Sequence, residues 1–378
     1  MPQIRVPFND LRPRLAEYRA AIDRVLARGW FVLGPEVEAF EDEFAQYQGR
    51  GHTVGVANGT DAIELALRAA GVGPGDEVIT VAHTAVATAC GIERAGARPV
   101  FVDIDFADYT INPRAIPAAI TTRTRAIVAV HLYGQPARLG ALRALADRHG
   151  LLLIEDCAQA HGAKDDGRRV GTVGHLAAFS FYPTKNLGAF GDAGAVFTTD
   201  AALADRVRRL RNYGQLNRYH HVDPGGMNSR LDELQAAVLR VGLKALDAAN
   251  ADRFRLADRY LSRLRLPTLP GSRPHSDHVY HLFAVRHPNR DTFADRLRAR
   301  GVETLIHYPV PVHLQPAFAH LGGMPGDLPE TERAAREVLS LPLFPGMTRE
   351  QQDAVIAAVN AEAVSESAAD VRRTVRAA

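Results

Sequence analysis

The chain has 378 residues, 46% of them hydrophobic and 23% charged, which is too long for one core of ordinary size and suggests a large domain with a smaller one. Lys and Arg total 45 against 43 for Asp and Glu, so no global basic field exists to hold a nucleic-acid backbone or an anionic membrane, and any anionic ligand needs a local site. Cysteine is limited to Cys90 and Cys157, the N-terminus lacks a basic segment followed by an apolar core, and no stretch is apolar enough to cross a bilayer, so a reduced, cytoplasmic protein is expected.

From about residue 54 to 200, short apolar runs alternate with amphipathic helical stretches, the pattern of βα units around a mainly parallel sheet. Asp61 to Ala70 carries Ala62, Ile63, Ala66, Leu67 and Ala70 at helical spacing, opens at Asn58-Gly59-Thr60 and stops at Gly71. Strands are predicted at Glu77 to Ala82, Pro99 to Asp103, Ala126 to Leu132, Leu151 to Glu155, Ala177 to Phe181 and Ala193 to Thr198. Several are near-continuous apolar runs, as expected where helices cover both faces of a sheet. The fold class is therefore α/β. A stretch without proline from about Ser229 to Arg265 spaces Leu231, Leu234, Val238, Val241 and Ala245 helically, ends before Pro267, and is predicted as one long helix joining two domains. Then come a strand at Val279 to Val285, a helix near Thr292 to Arg300, a strand at Val302 to Ile306, and helices near Glu330 to Leu339 and Arg349 to Asn360. Residues 1–245 are thus expected to form a large α/β domain and 246–378 a small α+β domain, with a frayed tail after about 362.

The chemistry gathers at two strand ends. Leu151-Leu-Leu-Ile-Glu155-Asp156 runs from an apolar strand into acid, and ligands of open α/β sheets bind just beyond such carboxyl ends. Ala177-Ala-Phe-Ser180-Phe-Tyr182-Pro-Thr-Lys185 places a lysine in mostly apolar surroundings, where desolvation lowers its pKa and makes a usable amine nucleophile. A lone acid here reads as a helix cap and a lone lysine as a solvated charge; together they match what pyridoxal phosphate requires. A carboxylate must keep the pyridine nitrogen protonated, which Asp156 can do, and an amine must bond the aldehyde and carry protons, which Lys185 can do. The phosphate needs backbone N–H groups and hydroxyls, offered by the helix opening at Gly59-Thr60 and by Ser180. Asp61, close to that phosphate, is assigned to capping or dipole duty.

With these residues the chain resembles the DegT/DnrJ-type sugar aminotransferases, a branch of the fold-type I pyridoxal-phosphate enzymes with a large mainly parallel domain and a smaller α+β one. The matching stretches are Asn58-Gly-Thr-Asp-Ala62, Gly73-Pro-Gly-Asp-Glu-Val78, Glu155-Asp-Cys-Ala-Gln-Ala-His161, Phe179-Ser-Phe-Tyr-Pro-Thr-Lys-Asn-Leu-Gly188, Gly191-Asp-Ala-Gly194 and Asn228-Ser-Arg-Leu-Asp-Glu-Leu-Gln-Ala236. The resemblance implies that Lys185 forms the Schiff base with the cofactor, Asp156 pairs with the ring nitrogen and Gln159 contacts the ring's phenolic oxygen. It also implies that Gly59, Thr60 and Ser180 hold the phosphate, joined by Asn228 of a neighbouring subunit, so that the working unit is a homodimer with composite sites. Where relatives often carry an aromatic residue stacked on the ring, this chain has Ala85, with His83 two residues before. His83 either takes over the stacking or satisfies a backbone carbonyl beside the pocket.

Dehydratases of the same fold replace the lysine with histidine, so Lys185 favours transamination. Tyr182-Pro183 resembles the branch that aminates carbon 3 of nucleotide-linked 3-keto-6-deoxyhexoses, dTDP being the expected nucleotide, with L-glutamate leaving as 2-oxoglutarate. Tyr182, Tyr219, His220, His307 and Tyr308 are the expected sugar and nucleotide contacts; His221 and His313 read as surface or interface residues. No metal is expected, because these histidines lack acids and cysteines at a recognised ligand spacing. Amination at carbon 4, amination of a cyclitol ketone, and a regulatory protein that has kept the fold without turnover are the alternatives. A nicotinamide dehydrogenase is disfavoured, since no strand is followed by Gly-x-Gly-x-x-Gly.

Overall fold

Apolar runs bounded by turn residues become strands here because helices bury both faces of the sheet they build. The computed structural model describes residues 4–362 apart from 12–14, 267, 270 and 272, so the expected tail lies outside the described residues. Helices α1 (Leu15–Arg28) and α2 (Pro35–Gln48) precede β1 (His52–Val56), α3 (Gly59–Ala69), β2 (Glu77–Val81), α4 (Val86–Arg94), β3 (Arg98–Val102), α5 (Ile116–Ala119), β4 (Thr124–Val130), α6 (Leu139–His149) and β5 (Leu152–Asp156). A short ribbon of β6 (Lys164–Asp165) and β7 (Arg168–Arg169) leads to β8 (Leu176–Ser180), β9 (Gly194–Thr198) and α7 (Ala201–Leu210).

Seven strands form one sheet in the order β1-β9-β8-β5-β4-β2-β3, parallel throughout except that β9 runs against both of its neighbours. All six expected strands lie in it, each within two residues of its expected bounds. The seventh, β1, has no counterpart among them: His-Thr-Val-Gly-Val opens on two polar residues, and Gly55 interrupts what is left of the apolar run. Alternate residues of β8 feed opposite layers. Ala177 and Phe179 join Phe40 and Phe44 of α2, while Leu176 and Ala178 join Ile63 and Leu67 of α3.

The rest of the chain comprises the hairpin β10 (Gln215–Asn217) and β11 (His220–His221), then α8 (Glu233–Leu243), α9 (Leu246–Arg263), β12 (Ser276–Asp277), β13 (Phe283–Arg286), α10 (Arg290–Ala299), α11 (Pro329–Glu337), β14 (Val338–Leu341) and a helix over 349–362. Two expectations are corrected. The single helix over 229–265 is two helices, Glu233–Leu243 and Leu246–Arg263, broken at Lys244-Ala245, with Leu243 and Leu246 packed into one core cluster on either side of the break. The strand over 302–306 is two isolated bridges, Val302 with Val6 and Leu305 with Ser340; the segment changes partner before a ladder can form. Tyr260, Phe283, Phe293, Leu339 and Val355 form a separate cluster with Val6. We propose this cluster as the core of the small domain, with its boundary near residue 245.

Candidate active site

The parallel neighbours β5 and β8 end at Asp156 and Ser180, and the turn after β8 carries Lys185, whose N–H donates to the Tyr182 carbonyl at 2.8 Å. Gly188 closes this turn so tightly that a Cβ there would lie 2.4 Å from the Pro183 oxygen. Opposite, α3 begins beside the strand end: a Cβ on Gly59 would meet the Ser180 Cβ at 2.6 Å. Asn58 caps α3, its Oδ1 accepting the Asp61 N–H at 2.8 Å, and the first-turn N–H groups of Gly59 and Thr60 have no intrahelical acceptor. These elements enclose a cavity of about 240 Å³ lined by Gly59, Thr60, Asp156, Gln159, Ser180, Tyr182 and Lys185 among others. The Asp61 carboxylate faces elsewhere, accepting from Ser229 Oγ at 2.7 Å and pairing with Arg94 at 3.0 Å.

Burial lowers the Lys185 pKa to about 8, the Asp156 charge working against it. At pH 7 roughly a tenth of the amines are then uncharged, far more than for a solvated lysine, whose pKa is about 10.5. Burial likewise raises the Asp156 carboxyl above its ordinary value, opposed by hydrogen bonds from the Thr88 hydroxyl at 2.8 Å and the Ala158 N–H at 3.1 Å and by the Lys185 charge. An ionised carboxylate held in such surroundings is strongly stabilised by a cationic N–H partner. The Gln159 side chain is oriented by the Tyr133 N–H, which donates to Oε1 at 2.7 Å; its Nε2 then donates to the Tyr308 hydroxyl at 3.2 Å. Free helix N–H groups, a buried amine, a buried carboxylate and an oriented amide donor suit a phosphorylated pyridine aldehyde.

The remaining predicted residues are placed differently. His83 is buried but absent from the cavity lining; its Nε2 is 2.9 Å from the Tyr133 hydroxyl, and burial pushes its pKa down to about 4. Ala85 does line the cavity. His307 Nδ1 lies 2.9 Å from Ser340 Oγ, and its ring lines a neighbouring cavity with Phe8 and Thr184. Tyr219, 81% exposed, and His220 sit on the β10–β11 hairpin, and Asn228 is exposed on the strand-like segment facing Asn212; none of the three lines this chain's own cavity. Sequence reasoning assigned no role to Thr88, Asp192, His131 or Tyr133. Thr88 sits in the first turn of α4, and its hydroxyl lies 2.9 Å from that of Thr84, two residues before the helix begins.

His131, Glu155 and Cys157 cluster beneath the cavity. Their geometry is that of a buried support. His131 Nδ1 accepts the Ala137 N–H at 2.9 Å, so Nε2 donates to Glu155 at 3.0 Å, and Glu155 also accepts from the N–H groups of Gly171, Val173 and Gly174. Burial favours the neutral carboxyl, yet these donors together hold Glu155 below the usual carboxylate range.

Fold and site together define a fold-type I pyridoxal-phosphate transferase. More narrowly, residues 14–360 match the DegT/DnrJ/EryC1/StrS aminotransferase family, and the chain belongs to it; enzymes of this family depend on pyridoxal phosphate. It is 54% identical over 362 residues to the dTDP-3-amino-3,4,6-trideoxy-alpha-D-glucose transaminase of Streptomyces venezuelae, covering 94% of this chain and 95% of that protein. It is also 54% identical over 365 residues to the erythromycin biosynthesis sensory transduction protein EryC1 of Saccharopolyspora erythraea, covering 95% and 100%. The crystal structure of S. venezuelae DesV in complex with a ketimine intermediate superposes with a TM-score of 0.93 at 53% identity, covering 96% of this chain and 99% of that one.

Proposed function

We propose that the protein transfers an amino group from L-glutamate to carbon 3 of a dTDP-linked 3-keto-6-deoxyhexose, as a cytoplasmic homodimer with composite sites that serves amino-sugar biosynthesis. The observation that carries the reading is a desolvated amine, on the half-buried Lys185, sharing one cavity with the buried carboxylate of Asp156, in a chain related along nearly its whole length to a dTDP-sugar transaminase. Bound in that cavity, pyridoxal phosphate supplies an aldehyde to hold the amino group and a protonated ring that withdraws electrons from the reacting carbon.

Asp156 holds the proton on the ring nitrogen, and Thr88 and Ala158 hold Asp156. Lys185 would hold the aldehyde, and its Nζ would take and return the substrate's proton as general base and acid, for which a pKa of about 8 is well matched. Gly59, Thr60 and Ser180 anchor the phosphate, and Gln159 donates to the ring's phenolic oxygen. Tyr182, His307 and Tyr308, with Tyr219, His220 and Asn228 from the second subunit, receive the sugar, the nucleotide and the phosphate.

The test is a panel of amino acceptors supplied with L-glutamate: a dTDP-linked 3-keto-6-deoxyhexose, its 4-keto isomer and an inosose. The account predicts 2-oxoglutarate release matched one to one by the 3-amino sugar. Preference for the 4-keto isomer or the inosose moves the reaction to those substrates. A protein that binds the cofactor and turns over none of them fits the regulatory reading that EryC1's name invites.

A further inference from the structure

We infer that Tyr133 is a positioning residue that locks the Gln159 amide to the segment carrying His307 and Tyr308, so that the ring-oxygen donor and the keto-sugar contacts are set as one unit; this rests on the transamination reading above. Tyr133 is 2% exposed, does not line the cavity, and holds φ 62 and ψ 3. A bulky aromatic residue persists in the left-handed region only where its surroundings over-determine it, and such sites cluster at functional centres.

The surroundings do so at both ends of the residue. Its N–H donates to Gln159 Oε1 at 2.7 Å, which fixes which way the carboxamide faces and leaves Nε2 for Tyr308 and the cavity. Its carbonyl accepts the Leu282 N–H at 3.3 Å. Its hydroxyl donates to the His307 carbonyl. A hydroxyl has one proton, so the second contact of that oxygen, His83 Nε2 at 2.9 Å, must be the donor. His83 is thereby set as the Nε2–H tautomer, with Nδ1 bare and without a partner. Burial holds His83 neutral, which keeps the arrangement unchanged across the working pH range. One residue thus joins the turn after β4, the loop after β5 and the segment before Pro309, which no local sequence contact links.

The experiment compares the holoenzyme with its Tyr133→Phe variant, which keeps the ring and the N–H and loses both hydroxyl bonds. The two half-reactions are followed separately, with L-glutamate and with the dTDP-linked 3-keto sugar. The expected result is cofactor colour and donor half-reaction within about twofold of wild type, and a keto-sugar KM raised about tenfold, the scale of one lost buried hydrogen bond. Because Tyr133 acts through Tyr308, adding Tyr133→Phe to Tyr308→Phe should raise KM by much less than tenfold. An unchanged KM, or equal losses in both half-reactions, overturns the inference. If Tyr133→Phe does not fold, His83→Leu, which removes the donor to the hydroxyl, must raise the keto-sugar KM with the donor half-reaction preserved; otherwise the inference fails. A wild-type protein inert to L-glutamate overturns the transamination reading itself, whereas an active wild type matched by Tyr133→Phe overturns only the role of Tyr133.

Discussion

Lys185 is one of three lysines in the chain. Lys164 lies 3.8 Å from Asp277 in a partly exposed pair and Lys244 is exposed; Lys185 is itself half-buried, and it is the desolvation of its amine within the cavity that marks position 185. Since the amine attacks only when uncharged, the rate at which cofactor-free protein takes up pyridoxal phosphate should climb with pH and level off above about 8, the Lys185 pKa. A flat stopped-flow profile across that range contradicts the assignment. Folding lowers this pKa from 10.5 to about 8, so the unfolded chain binds more protons between those values and stability rises with pH across the interval. Below it the buried ammonium costs the fold up to about 3 kcal/mol. Lys185→Met should therefore raise the melting temperature of cofactor-free protein at neutral pH, and a lowered one would contradict the burial argument. Thr88→Val removes a hydrogen bond to a buried carboxylate and should lower kcat about tenfold; unchanged steady-state kinetics would show that Thr88 does not hold Asp156. Lys185 and Asp156 were legible in the sequence because each follows an apolar strand, where α/β sheets bind ligands. Thr88 and Tyr133 were not: their partners, Asp156 and His307, stand 68 and 174 residues away.

The same division between local and distant signals holds for elements. Strands β2 and β9, buried at every position, declare themselves as near-continuous apolar runs. Helix α2 opens on Gly34-Pro35 with Glu36 and Glu38 in its first turn, but the group that caps it comes from far along the chain. The fully buried Glu233 carboxylate accepts the N–H groups of Gly34, Glu36 and Val37 at 2.8 to 3.0 Å, with Gly34 lying 199 residues away in sequence. Glu233→Ala would leave three donors buried without an acceptor and should cost about 3 kcal/mol or more in a denaturant titration. A loss below about 1 kcal/mol would mean that water or a neighbour replaces the carboxylate. The break between α8 and α9 escaped sequence reading because no proline or turn motif marks Lys244-Ala245, and the helical spacing of apolar residues runs on across it.

On the scale of the molecule, Trp30, Phe31 and Val32, with Phe190 and Tyr219, leave large apolar side chains exposed. Apolar surface of this kind marks association, which supports the proposed homodimer. If Asn228 reaches the phosphate in the partner's cavity, a hybrid of Lys185→Ala and Asn228→Asp chains contains one site with both residues intact. Mixing the two inactive variants under exchange conditions should then restore activity, and a mixture that stays inactive argues for sites built within one chain. Beneath all of this lies the claim that Lys185 is the amine bonded to the cofactor. Borohydride reduction of the holoenzyme followed by peptide mass mapping tests it directly, since only three lysines compete. The account predicts the reduced pyridoxyl group on the peptide containing Lys185 and none on a Lys185→Ala protein; label on Lys164 or Lys244, or an active enzyme that takes up no label, would contradict it.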